Sequence, residues 1–284
     1  MKSCGEMYFL IIKKIFIYEK SKSNISKIKK LRLPSEITTD FKKIIPNLDL
    51  IIFCTPLGEY EKIILKINKY LSPKTIITDV GSSKEKSMEL IKRNLKKGIF
   101  WTSSHPIAGS EVSGPEYGVK DLFVNKWCIL IKEKHTNRKH LKVLDKFWKR
   151  IGSRVVIMDS KKHDTVFSMT SHLPHLIAYN LVKTATDFEK QQKYELIKFS
   201  AGGLRDFSRI AASNEIMWRD IFFNNQKNIS KVIDLFIKNL RSFKNDIQFK
   251  NNKSIIKKLV DTKKVRKKII RLKQDINKPD FGRS

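Results

Sequence analysis

An α/β domain of the nucleotide-binding type over residues 1–158, followed by an all-helical domain over 159–284, is predicted by two observations. Short β-branched runs alternate with helical patterns up to Met158, and after Asp159 those runs stop and long amphipathic patterns take over. Unbroken apolar runs separated by helical stretches mark parallel strands buried on both faces in βαβ units. A change of class partway along a chain predicts two domains meeting at a cleft, a common place for a substrate.

The elements follow in order. IFIY (15–18), DLIIFCTP (49–56), TIITDV (75–80), WCILI (127–131) and RVVIM (154–158) read as strands, and EYEKIILKINKYL as the helix behind the second of them. His105, in SSHPIAGSE, falls in what reads as a short loop. Between Asn228 and Asn245, Ile229, Val232, Ile233, Phe236, Leu240 and Phe243 recur at helical spacing. The tail KKLVDTKKVRKKIIRLK (257–273) sets Leu259, Val260, Val265, Ile269, Ile270 and Leu272 on a helix expected to pack one face and solvate its lysines.

Composition excludes several classes. The chain has 284 residues, 40% of them hydrophobic, which is enough for a substantial core. No apolar run reaches the ~18 residues that a membrane span needs, and Lys13 and Lys14 break the apolar start. Three widely spaced cysteines, Cys4, Cys54 and Cys128, without any CxxC, argue against a disulfide framework and a zinc site, and fit a reducing cytoplasm. The net charge of +31 invites a nucleic-acid partner. Yet 47 of the 59 basic residues are lysines scattered among Ile and Asn, a pattern of solvated positions, so no nucleic-acid partner is expected.

Polar, glycine-punctuated segments carry groups that a core does not need: His105, then His172 and His175 in SHLPH, then Arg205 and Arg209 in GGLRDFSRIA. Two strand ends supply further candidates, Thr55 and Pro56 after the second strand and Asp79, Gly81, Ser82, Ser83 and Lys84 after the third. Ligands of open parallel sheets bind at the carboxyl ends of strands. The same Gly81 and serines also suit a plain turn and helix cap. The histidines are too dispersed for a metal site, and none is expected.

The order TDVGSSK, HPIAGSE, GVKDLF (118–123), HD, SHLPH, GGLRDFSRIA and MWRDIFFNN resembles the prephenate and arogenate dehydrogenases of tyrosine biosynthesis over residues 15–284. The ending PDFGRS is similar to the tail of some bacterial members. The resemblance implies a Rossmann-like NAD-binding domain, with NADP less favoured, and a helical domain forming a cytoplasmic homodimer. It implies oxidative decarboxylation of prephenate to 4-hydroxyphenylpyruvate. Arogenate, with an amino group in place of the keto group, is the alternative substrate. A noncatalytic dimeric remnant is the alternative of another class.

The chemistry explains the residue types. As hydride leaves the ring carbon, its hydroxyl proton must be taken, and a histidine of pKa ~6.5 suits that task. By resemblance this is His105, with Ser82 hydrogen-bonding it. Arg209 resembles the fork that grips a substrate carboxylate. His172 and His175, on one helix face pointing into the cleft, resemble side-chain-binding residues, as Glu111 resembles an acid at the entrance that pairs with the arginine. Trp218 resembles a pocket wall. Thr55, Pro56, Asp79 and Gly81 fall on the cofactor side.

The chain departs from the pattern at its start. It contains no GxGxxG, the turn whose backbone amides hold a pyrophosphate. IFIYEK reads as the second strand of such a domain, with Glu19 placed to bond the adenosine ribose and favour NAD. MYFLII (7–12) reads as the end of the first helix or a makeshift strand. The first strand is central, so its loss exposes two edges. The expectation is therefore an incorrect start or a disrupted gene, with a genuinely shortened protein as the alternative.

Overall fold

The computed structural model describes residues 12–109, 111–193 and 195–272; Cys4, residues 7–11 of the MYFLII run and the closing PDFGRS lie outside them. The first part runs β1 (Phe16–Tyr18), α1 (Lys22–Lys30), β2 (Glu36–Thr38), β3 (Leu50–Phe53), α2 (Tyr60–Ile67), β4 (Ile76–Asp79), α3 (Glu85–Asn94), β5 (Ser104–Pro106), β6 (Trp127–Ile131), α4 (Arg138–Arg150) and β7 (Arg154–Met158). Each β-branched run named above forms a strand. β1 pairs with β2, β3 with β4 and β6 with β7, all parallel, whereas β5 runs antiparallel to β6.

One expectation is corrected here. His105 lies on a strand, β5, opposite Ile129, rather than in a loop. Ser-His-Pro carries little strand propensity of its own, so pairing with the strongly apolar β6 decides its conformation. The segment leading into β5 also ties the sheet together: the Thr102 amide donates to the Ile77 carbonyl at 2.9 Å, and the Ile131 amide to the Ser103 carbonyl at 2.9 Å. Among the described residues no ladder joins β1 to β3.

Both faces of the sheet are covered, as parallel strands require. Along β6, Cys128 and Leu130 pack with Leu141, Leu144 and Trp148 of α4, whereas Ile129 and Ile131 pack with Phe167. The helix α4 starts where the Asn137 side chain accepts the amides of Lys139 and His140 at 2.9 and 3.2 Å.

After Met158 the described residues form helices: α5 (Ser160–Phe167), a π-type turn over Ser168–His172, α6 (Leu173–Gln192), α7 (Gly202–Ile210), α8 (Glu215–Asn224), α9 (Gln226–Gln248) and α10 (Asn252–Arg271). The class of structure thus changes after Met158. The first compact unit nevertheless continues to Ile229, and a second begins at Ser230. The reason is visible in α8, whose Trp218 and Ile221 join the core formed by Tyr60, Ile64 and Ile77.

In the second unit α9 and α10 are linked where Asp246 accepts from Ser254 Oγ at 2.7 Å and from Lys258 Nζ at 2.5 Å. Within the described chain only part of the apolar face of the tail helix is covered, Ile255 and Ile270 being half-buried. No residue of α10 is buried, and Leu259, Val260, Val265, Ile269 and Leu272 are exposed. A pair of helices has only one inner seam, too narrow to cover a full apolar stripe. No described helix is long and apolar enough to cross a membrane.

Candidate active site

His105 is held on β5 with its ring almost fully buried. Its Nδ1 lies 2.8 Å from Nε2 of His163, and the Nδ1 of His163 lies 2.8 Å from Oδ1 of Asp164. Asp164 also receives the amides of Lys84 and Glu85, both at 2.9 Å, and the Ser83 hydroxyl at 3.2 Å. This carboxylate from α5 therefore caps the N-terminus of α3, which has no side-chain cap of its own. Burial pushes the His105 pKa down, and His163, Lys84 and His172 push it further, well below the usual value. The ring is a neutral base near neutral pH. Among the described residues no hydrogen bond joins Ser82 to His105, whose Nδ1 is bonded to His163, and the Ser82 backbone acts instead on His172.

Beneath His105 lies a buried ion pair. Lys84 Nζ donates to Asp79 Oδ2 and to the Ser104 carbonyl, each at 2.6 Å. Asp79 accepts further bonds from the Ser103 hydroxyl, the Tyr60 hydroxyl at 3.2 Å and the Gly81 amide at 3.1 Å. Burial lowers the Lys84 pKa despite Asp79. The Asp79 carboxylate is thus taken up inside the chain, where it organises the β4 turn and braces the residue before His105. Ser83 and Lys84 likewise serve this framework.

A second group gathers around Trp218. His175, on α6, stacks on the Trp218 ring with centroids 3.8 Å apart, and His172 meets it edge-on at 6.2 Å. His172 sits in the π-type turn and is fully buried, bonded at Nδ1 to the Asn225 amide at 3.1 Å. That amide donates, so a neutral His172 carries its proton on Nε2. Against the burial that lowers the His172 pKa, the Ser82 backbone raises it, so its carbonyl faces the N–H of that ring. Trp218 Nε1 is the buried donor that keeps no acceptor of its own among the described residues. Burial drives the His172 pKa to about 4 and lowers that of His175 as well. Arg209 forms an ion pair with Glu111, half-exposed, and Glu111 acts electrostatically on His175.

On the cofactor side Thr55 and Pro56 are exposed and Gly81 and Ser82 half-buried, at the carboxyl ends of β3 and β4. A Cβ added to Gly81 would stand 2.6 Å from Leu57 Cδ2 and 2.8 Å from the Tyr60 hydroxyl, so a larger residue here would have to displace those side-chain ends. Glu19, at the end of β1, accepts the amides of Lys20 and Ser21 at 2.7 and 2.8 Å and the Asn24 amide at 3.2 Å. Burial raises its pKa, but these bonds outweigh burial and hold it below the usual value. Open turns at strand ends and a charged acid after the first strand fit a nicotinamide dinucleotide.

Residues 11–157 match the family model described as prephenate dehydrogenase, nucleotide-binding domain, and residues 159–262 match prephenate dehydrogenase, dimerization domain. The chain belongs to the prephenate dehydrogenase family. A cyclohexadienyl dehydrogenase of Zymomonas mobilis is 31% identical over 252 residues, which are 89% of this chain and 86% of that protein. A prephenate dehydrogenase of Bacillus subtilis is 36% identical over 162 residues, 57% of this chain but 42% of that protein. The crystal structure of prephenate dehydrogenase from Aquifex aeolicus in complex with hydroxyphenyl propionate and NAD+ matches with a TM-score of 0.84 at 35% identity, covering 90% of this chain and 89% of that one.

As a prephenate dehydrogenase family member the chain is an oxidoreductase, with a nucleotide-binding domain followed by a helical dimerization domain. The structure brings His105 electrostatically close to His172, and His175 to Trp218 and Glu111, which pairs with Arg209. Sequence reasoning missed the roles of His163, Asp164 and Asn225. The only signal for the first two was the HD dipeptide within the motif order.

Proposed function

We propose that this chain carries out NAD-dependent oxidative decarboxylation of prephenate to 4-hydroxyphenylpyruvate, as a cytoplasmic homodimer. Residues 1–158 serve the cofactor; residues 159–284 serve the substrate and the dimer. The observation that carries this reading is His105, buried and neutral, with Nδ1 bonded to His163 and Nε2 left for the substrate.

The bound cofactor supplies the hydride acceptor. The turn with Thr55 and Pro56, the Gly81–Ser82 turn and Glu19 hold it, and the charged Glu19 opposes a 2′-phosphate, which favours NAD over NADP. His105 Nε2 takes the proton of the ring hydroxyl, so the O–H electrons become the new carbonyl as hydride departs. The ring carboxylate then leaves as carbon dioxide, its bonding pair restores aromaticity, and the phenolate oxygen so formed takes the proton back from His105. Arg209 exchanges Glu111 for a substrate carboxylate. His175 and Trp218, backed by the buried His172, surround the substrate side chain, and Ser82 lines the pocket beside His105. Arogenate fits the same groups, with Glu111 able to meet its ammonium.

Steady-state assays of prephenate and arogenate, each with NAD and NADP, test the proposal. Prephenate with NAD should give the highest kcat/KM. A higher value for arogenate would reverse the substrate assignment. No turnover by a folded chain, with no NAD binding in calorimetry, would leave the dimeric remnant as the reading.

A further inference from the structure

The mechanism above leaves a buried pair of titratable groups, His163 and Asp164, without a task. We propose that they are positioning residues that lock His105 in its Nδ1–H tautomer, so that the lone pair on Nε2 faces the substrate hydroxyl. This inference rests on the oxidoreductase reading of the site.

Asp164 receives two backbone amides and the Ser83 hydroxyl, and it caps the positive end of α3, so it is an acceptor throughout. The Nδ1 of His163, 2.8 Å away, must therefore donate to it. A neutral His163 then presents a lone pair at Nε2, and the proton in its 2.8 Å contact with His105 belongs to His105 Nδ1. The other His105 tautomer would set two lone pairs face to face across that contact, with no room for a water to relieve them.

Neutrality of His163 is supported by what faces it. Burial lowers its pKa, and Lys84 acts in the same direction, while Asp164 and Asp79 act against them. His105 is faced by His163, Lys84 and His172. When Nε2 of His105 accepts the hydroxyl proton, the new imidazolium keeps its Nδ1–H bond to His163. The charge is then balanced through that ring by Asp164. The pair thus selects the tautomer before the reaction and stabilises the cation after it, as the acid of a catalytic triad does for its histidine.

The test reads tautomers directly, without turnover. Long-range proton–nitrogen NMR of the histidine-labelled full chain near neutral pH should show His105 protonated at Nδ1 and bare at Nε2. His163→Leu should move the His105 proton toward Nε2 and lower kcat by roughly 10²-fold, the scale of a lost general base, with KM little changed. His163→Gln, whose amide oxygen can accept from Nδ1, should keep the wild-type tautomer and recover most of kcat. A wild-type His105 protonated at Nε2 would overturn the proposal whether or not the variants fold. So would a folded His163→Leu protein with unchanged tautomer and unchanged kcat. The expected tautomer in a wild-type chain that turns over neither substrate would support the positioning role and overturn the oxidoreductase reading beneath it.

Discussion

The imidazoles of His105 and His163 meet end to end, Nδ1 to Nε2 at 2.8 Å, and both pack against Phe167 with centroids at 4.9 and 4.5 Å. One nitrogen of His105 is therefore committed to the protein, and the other is left for chemistry.

His105→Asn tests that division. Asparagine places its amide near the position of Nδ1 and leaves nothing where Nε2 was. Loss of a general base costs about 10²–10⁴-fold in kcat. NAD affinity should stay within a few-fold of wild type, since the cofactor turns follow β3 and β4. Steady-state kinetics and calorimetric titration check both halves, and an unchanged kcat would remove His105 from the mechanism.

Arg209 makes a different prediction because it is partnered by Glu111 at a half-exposed position rather than buried in the framework. Arg209→Ala removes the fork that receives a carboxylate, and the effect should fall on binding. KM should rise about 10-fold to 10²-fold, the scale of one charge-assisted contact, with a smaller change in kcat. A loss confined to kcat would place Arg209 at the reacting atoms instead.

These residues differ in how legible they were. Every continuous β-branched run became a strand, because a strand buried on both faces needs apolar residues at successive positions, as Cys128, Ile129, Leu130 and Ile131 show. β2 and β5 were hidden, being three residues each and stabilised by neighbours rather than by composition. Motif order pointed to His105, His175, Arg209 and Trp218. It did not reveal that Asp164 caps α3 from a helix some eighty positions away, a contact that exists only after folding. The exposed face of α10 had the opposite fate. Its helical period was plain, but what covers an apolar stripe is not written in its spacing.

Acid should destabilise the protein well above the carboxylate range. The folded-state pKa of His172 is about 4 against an ordinary value of 6.5, so the unfolded chain binds a proton that the folded chain refuses. That contribution is full above about pH 6.5 and is lost as pH falls toward 4, amounting to roughly 3 kcal/mol. The lowered pKa values of His105, His163 and His175 act in the same sense. Urea unfolding at a series of pH values from about 7.5 to 4.5 reads the slope. His172→Gln should flatten it, and a pH-independent wild-type stability would show that His172 is not held neutral.

Lys84 and Asp79 should behave as a coupled unit. Both side chains are almost entirely buried, and Nζ lies 2.6 Å from Oδ2. Lys84→Met leaves the Asp79 carboxylate facing only neutral donors, the Ser103 and Tyr60 hydroxyls and the Gly81 amide. Breaking such a pair costs about 3–5 kcal/mol. Asp79→Asn leaves the ammonium unpaired at a similar cost. The double variant buries no charge, so it should recover part of the loss and show a coupling of roughly 2–3 kcal/mol. Additive losses in urea unfolding would mean that the two charges do not depend on each other. Activity should not recover in parallel, because Nζ also holds the Ser104 carbonyl, and methionine cannot replace that bond next to His105.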